Sequence, residues 1–247
     1  MRDQPDTSSR HIHIGTAGWS IPGACVDRFP GTGTHLHRYA RRMTCVEINS
    51  TFYRAHRPST YARWAHSTPS GFAFALKVPR SITHEHRLLD ARGALAQFLD
   101  ETSGLEDKRG PLLVQLPPSL EFAPRVAADF FGSLRTCYDG FVVCEPRHAT
   151  WFTAPAEALL MEHRVARVAA DPPRAESGGS PAGWAEIAYY RLHGRPRTYW
   201  TRYDSNYLHG LADVLRKPTA AAETWCVFDN TASGAALENA EELQMLL

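Results

Sequence analysis

Eight short apolar runs alternate with segments whose apolar residues recur at a helical period, and this alternation limits the folds open to the chain. Strands that alternate with helices form right-handed βαβ units around a parallel sheet. Eight such units in about 235 residues are typical of a closed (β/α)8 barrel, whose usual length is about 250 residues. The runs lie at 13–17, 45–49, 72–78, 112–116, 141–145, 165–171, 187–193 and 225–229.

The segments between the runs predict helices, with one exception. Leu36, Tyr39, Ala40 and Met43 share a helical face, and Pro58, Pro124 and Pro155 fit first helical turns. Residues 172–181 contain too much proline and glycine for a helix, so a loop is predicted in place of the sixth helix. An open doubly wound sheet is the alternative, but no GxGxxG motif follows the first run.

Composition indicates one globular domain over residues 12–247 behind a polar, flexible tail at 1–11. The sequence MRDQPDTSSR lacks the apolar stretch of a secretory signal, and five cysteines without a CxxC pair fit reduced thiols, so a cytoplasmic location is expected. No apolar run approaches the roughly 20 residues of a membrane span. With 27 Lys plus Arg against 26 Asp plus Glu, the chain lacks the basic excess of proteins that hold nucleic acid by a general surface field. A local basic pocket remains compatible with this balance.

Polar residues gather at the carboxyl ends of the predicted strands. Side chains alternate between the two faces of a strand, so small residues such as Ala73 and Ala75 face the barrel interior together with Lys77. The carboxyl ends of the strands form the active-site end of a (β/α)8 barrel. Either a network of buried ion pairs or a ligand site is therefore expected at this mouth.

Several ordered motifs resemble the YecE-like proteins, a family without an assigned activity. The motifs are GTAGW at 15–19, VEINSTFY at 46–53, KVP at 77–79, ITH at 82–84, QLPP at 115–118, EPRH at 145–148, WF at 151–152, YRLHG at 190–194 and FDN at 228–230. Ile21, Cys25 and Pro146 depart from the pattern, since aromatic residues are more common there. The resemblance implies a TIM-type barrel and supplies no reaction.

Three chemistries fit these residues. The first is a divalent metal held by carboxylates with His84, His148 or His193, although nearby lysine and arginine charges oppose it. The second is acid–base catalysis, and the third is capture of a phosphate or carboxylate by Lys77, Arg147 and Arg191. No GxSxG elbow is present, and Cys45, Cys144 and Cys226 fit buried strand positions better than nucleophiles.

The segment 197–207 interleaves arginines with aromatic residues after the seventh run. It is expected either to overhang the mouth as a stacking platform or to pack its rings between elements.

These observations predict an enzyme, possible classes being hydrolase, lyase or isomerase, that acts on a small polar or anionic substrate such as a phosphorylated sugar or a nucleotide fragment. The alternative is a non-catalytic barrel that captures a metabolite or a nucleic-acid end. The catalytic candidates are Glu47 and Glu145 as acid and base, with Asp171 and Asp229 as orienting groups or metal ligands. The candidates for substrate binding are Trp19, Asn49, Phe52, Tyr53, Lys77, His84, Gln115, Arg147, His148, Arg191, His193, Tyr203 and Asn230.

Overall fold

Parallel strands follow one another around a barrel in the computed structural model, which describes residues 11–217 and 219–247. Most of the predicted tail lies outside the described residues, and the first strand begins at His11. The strands are β1 (His11–Ala17), β2 (Cys45–Ile48), β3 (Ala73–Lys77), β4 (Arg109–Gln115), β5 (Val142–Glu145), β6 (Val165–Arg167), β7 (Ala169–Asp171), β8 (Ala182–Gly183), β9 (Ile187–Leu192) and β10 (Glu223–Phe228).

The barrel closes through the sixth strand position. Its two halves, β6 and β7, are separated by Val168; β6 pairs with β5 and β7 pairs with β9, both in parallel. From β9 the order continues through β10, β1, β2, β3 and β4 back to β5. The predicted (β/α)8 barrel of TIM type is confirmed.

Helices connect the strands on the outside of the barrel. They are α1 (His35–Tyr39), α2 (Pro58–His66), α3 (Arg92–Glu101), α4 (Pro124–Cys137), α5 (Ala154–Glu162), α6 (Ser205–Arg216) and α7 (Ala235–Met245). Pro58, Pro124 and Pro155 lie in first turns, where a missing N–H leaves no helical hydrogen bond unmade. The first helix is shorter than its periodic residues predict, because a turn follows in which the N–H groups of Arg42 and Met43 both donate to Tyr39 O.

The predicted loop in place of the sixth helix is also confirmed. Between β7 and β9 the chain forms a short 3-10 turn at Glu176–Gly179 and then β8, which pairs antiparallel with β6. Among the helices of the described ranges, none combines the length and the apolar character that crossing a membrane requires.

Two layers of apolar side chains, one outside and one inside the barrel, determine where the mouth of the barrel lies. Phe74, Leu76 and Leu112 face outward and pack beneath the helices. Small or medium side chains, among them Ala75 and Leu113, fill the interior together with Tyr189 and Trp225. Because alternate residues belong to opposite layers, each inward position past this apolar filling belongs to the mouth.

Candidate functional site

A single guanidinium binds three carboxylates at the barrel mouth. Arg191, with no solvent-exposed surface, donates from Nε and Nη2 to the two oxygens of Glu47 at 2.9 and 2.7 Å. Its Nη1 donates to Glu145 Oε2, and its Nη2 also donates to Asp229 Oδ2 at 3.0 Å. These four residues and His193 are called the charged centre below.

Strand register explains why residues so far apart in sequence meet. Glu47 lies level with Ala17 on β1 and Ala75 on β3, and both alanines face inward. Gln115 is level with Glu145 on the other side of the barrel. Arg191 pairs with the inward Val227, so its long side chain crosses the interior just above the apolar filling.

His193 bridges two carboxylates of the centre. Its Nδ1 lies 3.0 Å from Asp229 Oδ2 and its Nε2 lies 3.0 Å from Glu145 Oε1. Ionised carboxylates only accept hydrogen bonds, so both ring nitrogens donate and the ring is an imidazolium. Burial alone would lower the pKa of His193, but the charge of Glu145 and the hydrogen bonds to both carboxylates raise it above its ordinary value.

Two carboxylates of the centre, those of Glu145 and Asp229, are held in the ionised form. Burial alone would raise the pKa of Glu145, but the charges of Arg191 and His193 lower it well below its usual range. The same cations, with the His193 hydrogen bond, lower the pKa of Asp229 against the effect of burial. Favourable pairing of this kind is what allows several charges to share a buried site.

Polar side chains around the centre extend its hydrogen bonding. Gln115 Nε2 donates to Glu145 Oε2 at 3.0 Å, and Tyr189 OH donates to Glu47 Oε2 at 3.0 Å. Arg147 Nε donates to Glu145 Oε1 at 3.2 Å. All four oxygens of Glu47 and Glu145 therefore already accept hydrogen bonds within the protein.

Three groups at the mouth have unused hydrogen-bonding capacity. The ammonium of Lys77, a residue only 7% exposed, forms no ion pair or hydrogen bond within residues 11–217 and 219–247. Asn49 Oδ1 is buried and accepts no hydrogen bond from the same residues. Asp229 Oδ1 has one long contact, 3.5 Å to Asn49 Nδ2. Asn49 and Asp229 are in contact, and the charge of Asp229 acts on Lys77, so the three groups belong to the same part of the mouth.

Aromatic residues form the wall beside Lys77. Its Nζ lies 4.2 Å from the centroid of the Phe52 ring, and the centroid of the His84 ring lies 5.0 Å from the same point. Burial and the charges of Lys77 and Arg147 lower the pKa of His84 to about 4. His84 is therefore neutral at physiological pH and adds no charge to this wall.

A cavity of about 360 Å³ adjoins the mouth on the far side of this wall. Phe52 and Tyr53 line it together with Arg54 and Arg80 from the loops after β2 and β3. Its lining is mixed, since Ile82 and Phe98 lie beside the charged side chains.

Asp171, Tyr203 and Asn230 are not brought to the charged centre. Asp171 pairs in register with Leu192, whose side chain packs in the outer layer, so Asp171 also lies outside the barrel. There its Oδ1 accepts from Tyr203 OH at 2.8 Å. Asn230 Nδ2 donates to Thr201 O and to Asn239 Oδ1, each at 3.0 Å, and so fixes the loop before α6. The expectation that Asp171 joins the mouth carboxylates is wrong in geometry.

Trp19, Tyr53 and His148 also lie apart from the centre. Trp19 packs edge-on against Trp64 of α2 with ring centroids 5.0 Å apart. Tyr53 is 74% exposed, and the side chain of His148 accepts from Thr150 N to cap a short turn. The remaining predicted site residues either form the charged centre or contact it directly, except Lys77, Phe52 and His84, which form the adjoining wall.

The aromatic segment 197–207 divides between its two expected positions. Tyr199 OH accepts from Arg147 Nη2 at 2.8 Å, and its ring meets the His193 ring edge-on at 5.4 Å. Tyr203 instead stacks on Tyr207 at 4.4 Å on the outer face. Tyr199 thus overhangs the mouth, whereas Tyr203 is a packing residue.

Tyr189 and Tyr199 also lie at the mouth, although neither is among the site candidates that the sequence predicts. Tyr189 has the same strand parity as Arg191, and this parity was the available signal. The position of Tyr199 depends on a loop conformation with φ of 67°, which no sequence pattern indicated.

Metal binding gains no support from the geometry. Within the described parts of the chain, no group of three or more His, Cys, Asp or Glu side chains is arranged to hold an ion. The carboxylates that could have served are turned toward Arg191 and His193 instead.

Curated proteins similar to this chain carry UPF0759 names. The UPF0759 protein YecE of Escherichia coli (strain K12) is 35% identical over 115 residues, which cover 46% of this chain and 40% of that protein. The match therefore spans less than half the length of YecE. The UPF0759 protein YunF of Bacillus subtilis (strain 168) is 22% identical over 275 residues, covering 96% of this chain and 94% of that protein.

Solved structures show the same fold. A DUF72 family protein from Enterococcus faecalis V583 superposes with a TM-score of 0.80 at 21% identity, covering 96% of this chain and 95% of the other. A DUF72 family protein from Thermotoga maritima MSB8 gives 0.78 at 24% identity, covering 96% and 98%. The family model "Protein of unknown function DUF72" matches residues 13–247. The resemblance to YecE-like proteins is confirmed, and the chain belongs to the DUF72 family.

Proposed function

We propose that this protein is an enzyme that binds a small, hydroxylated, anionic substrate at the barrel mouth and moves a proton at it. The supporting observation is the Lys77 ammonium, which is nearly buried and has no carboxylate within ion-pair distance in the described residues. Three carboxylates lie close by, yet all three are engaged by Arg191 or His193. A buried cation without its own counter-charge favours an anionic partner.

The charge balance of the mouth supports the same proposal. Glu47, Glu145 and Asp229 carry three negative charges, while Arg191, Arg147, His193 and Lys77 carry four positive charges when His193 is protonated. The excess positive charge lies toward Lys77 and Arg147, the two cations nearest the rim. A carboxylate bound there restores neutrality, a phosphate more than offsets the excess, and arginine offers either anion paired N–H donors.

Asp229 is the best placed group for proton transfer. Its Oδ1 has only a contact of 3.5 Å, whereas every oxygen of Glu47 and Glu145 takes part in a hydrogen bond of 3.0 Å or less. Through Oδ2 it contacts His193, which can supply or take the proton that Asp229 exchanges. We assign Asn49 Oδ1, which is buried and has no hydrogen-bond partner among the described residues, as the acceptor for a substrate hydroxyl.

Ligand-induced thermal shifts test the binding step. Inorganic phosphate, ribose 5-phosphate and ribose are compared on the wild type, on Lys77→Met and on Arg63→Met. The last removes one exposed positive charge near the carboxyl end of α2, away from the mouth. A ligand at 100 times its Kd stabilises the folded state by about 2.7 kcal/mol. We expect both phosphates to raise the melting temperature of the wild type. Lys77→Met should weaken the affinity for each phosphate at least tenfold, whereas Arg63→Met should leave this affinity unchanged. Equal affinities in both variants, or no shift with either phosphate, would refute the proposal.

Turnover separates an enzyme from a binding barrel. Asp229→Asn should lower the rate of conversion of a bound phosphate ester by about 10²–10⁴-fold while its affinity changes little. Phosphorus NMR of the bound compound records both quantities. A ligand that binds tightly and stays unchanged throughout a panel of sugar phosphates would establish the non-catalytic alternative.

A further inference from the structure

Lysine is rare in this chain, which makes its presence at the mouth informative. Of 27 Lys plus Arg residues only Lys77, Lys108 and Lys217 are lysines. Lys108 has a structural role, since its Nζ donates to Ala65 O at 2.7 Å and to Thr68 O at 2.6 Å. Lys217 is exposed at the end of α6. Only Lys77 faces the barrel interior, where an arginine would supply a permanent charge but could never become a nucleophile.

The surroundings of Lys77 increase the fraction of its neutral amine. Burial and the charge of Arg191 lower its pKa to about 8, although Glu47, Asp229 and Glu145 act in the opposite direction. At pH 7 roughly one molecule in ten then carries a neutral amine, against about one in three thousand for an unperturbed lysine. An amine that lies on an aromatic ring, and that no acceptor of residues 11–217 and 219–247 holds by a hydrogen bond, has its lone pair available for attack.

We propose that Lys77 Nζ attacks the carbonyl carbon of an anionic aldehyde or ketone and holds it as a protonated imine. This proposal rests on the proposed function, because it narrows the anionic substrate to a carbonyl compound. Its negative group binds at Arg147, so that its carbonyl carbon lies beside Lys77. The hydroxyl next to the carbonyl donates to Asn49 Oδ1.

Residues of the mouth supply and accept the protons that this reaction requires. The amine lone pair forms the N–C bond while the C=O π bond breaks, and Asp229 Oδ1 carries one proton from nitrogen to the new oxyanion. The nitrogen lone pair then forms C=N as the C–O bond breaks, and the leaving hydroxyl departs as water with a proton from His193, passed through Asp229. One amine, one carbonyl compound and one proton yield one iminium and one water. The three carboxylates of the charged centre stabilise the iminium charge.

Reductive trapping tests this chemistry on the full chain. The protein is incubated at pH 7.5 with glyceraldehyde 3-phosphate and sodium cyanoborohydride, which reduces the imine to a stable secondary amine. Intact-mass and peptide mass spectrometry then count and locate the adducts, and glyceraldehyde serves as the uncharged comparison. The variants are Lys77→Arg, which keeps the charge, and the matched control Lys217→Arg.

We expect one adduct per chain, on Lys77, formed at least tenfold faster than on any other amine. Excess inorganic phosphate should slow it, glyceraldehyde should react more slowly, Lys217→Arg should behave as wild type, and Lys77→Arg should give no such adduct. Modification spread evenly over Lys77, Lys108, Lys217 and the amino terminus would overturn the inference. The distribution of adducts is measured on the wild type alone, so it decides the question even where Lys77→Arg fails to fold.

Phosphate binding keeps the two proposals distinguishable. If inorganic phosphate shifts the melting temperature of the wild type but no selective adduct forms, Lys77 is an anion-binding residue only, and the imine inference fails alone. If neither the shift nor the adduct is seen, both proposals fail.

Discussion

Replacing Lys77 by methionine should make the protein more stable at neutral pH. The lysine is charged in both states at pH 7, but its folded pKa of about 8 lies below the unfolded value of 10.5. This difference corresponds to about 3 kcal/mol of unfavourable free energy for holding the charge in the folded chain. Methionine has a similar length and keeps the contact with Phe52, but it loses a cation–π contact worth about 0.5–1 kcal/mol. The free energy of unfolding should therefore rise by about 2 kcal/mol, or about 4–8 °C in Tm.

The pH dependence identifies the cause. Because the unfolded chain keeps the lysine proton to higher pH than the folded chain does, wild-type stability increases relative to Lys77→Met as pH rises from about 8 to 10.5. Urea unfolding at pH 7 and pH 10 should show the advantage of methionine falling to within about 1 kcal/mol. Lys77→Arg stays charged throughout, so its difference from Lys77→Met should remain the same. The reasoning would be refuted if Lys77→Met were less stable than the wild type at pH 7, or if the stability difference between the two did not change with pH.

Three further substitutions test the mouth and the loop above it. Arg191→Met leaves three carboxylates without their guanidinium and should lower the free energy of unfolding by about 3–5 kcal/mol. Urea titration at pH 7 measures this change, and a loss below about 1 kcal/mol would contradict the buried network. His193 has a raised folded pKa, so its stabilisation is complete below pH 6.5 and is lost as pH rises through the folded value. His193→Asn should therefore destabilise more at pH 5.5 than at pH 9 in urea titrations, and equal losses would disprove the imidazolium assignment. Gly194 has φ of 87°, and a Cβ there would lie 2.6 Å from Thr201 O, so Gly194→Ala should lower stability in thermal unfolding by about 1–3 kcal/mol. Gly210→Ala is its control, because nothing lies within 4 Å of that Cβ in α6 and a gain of up to about 1 kcal/mol is expected.

Strand periodicity was enough to predict the barrel and much of its mouth. Apolar residues alternate with small or polar ones in β2 and β3, so the inward direction of Glu47 and Lys77 follows from the pattern alone. Barrel closure then brings these residues within reach of Arg191, which is 144 positions from Glu47. The arginine side chain is long enough to span the remaining distance to these carboxylates across the barrel interior.

The errors have two physical sources. In the sixth strand both faces carry apolar residues, so hydrophobicity does not decide where Asp171 points. The alternation continues unbroken through Val168, so Asp171 shares the outward parity of Val165, while Ala166 and Val168 face the interior. Tyr203 and Asn230 are placed by hydrogen bonds through Asn239, which lies in the last helix. Long-range side-chain bonds of this kind leave no periodic trace in a sequence.

The bonding of Arg191 has a mechanical consequence. It ties β9 to β2, β5 and β10, so the base of the mouth is cross-braced between strands on opposite walls of the barrel. A substitution at any one of these strand ends disturbs all the others, whereas the loops carrying Phe52, His84 and Tyr199 contribute no member to these ion pairs. New substrate preferences in such a barrel would therefore arise by remodelling those loops above an unchanged ionic brace.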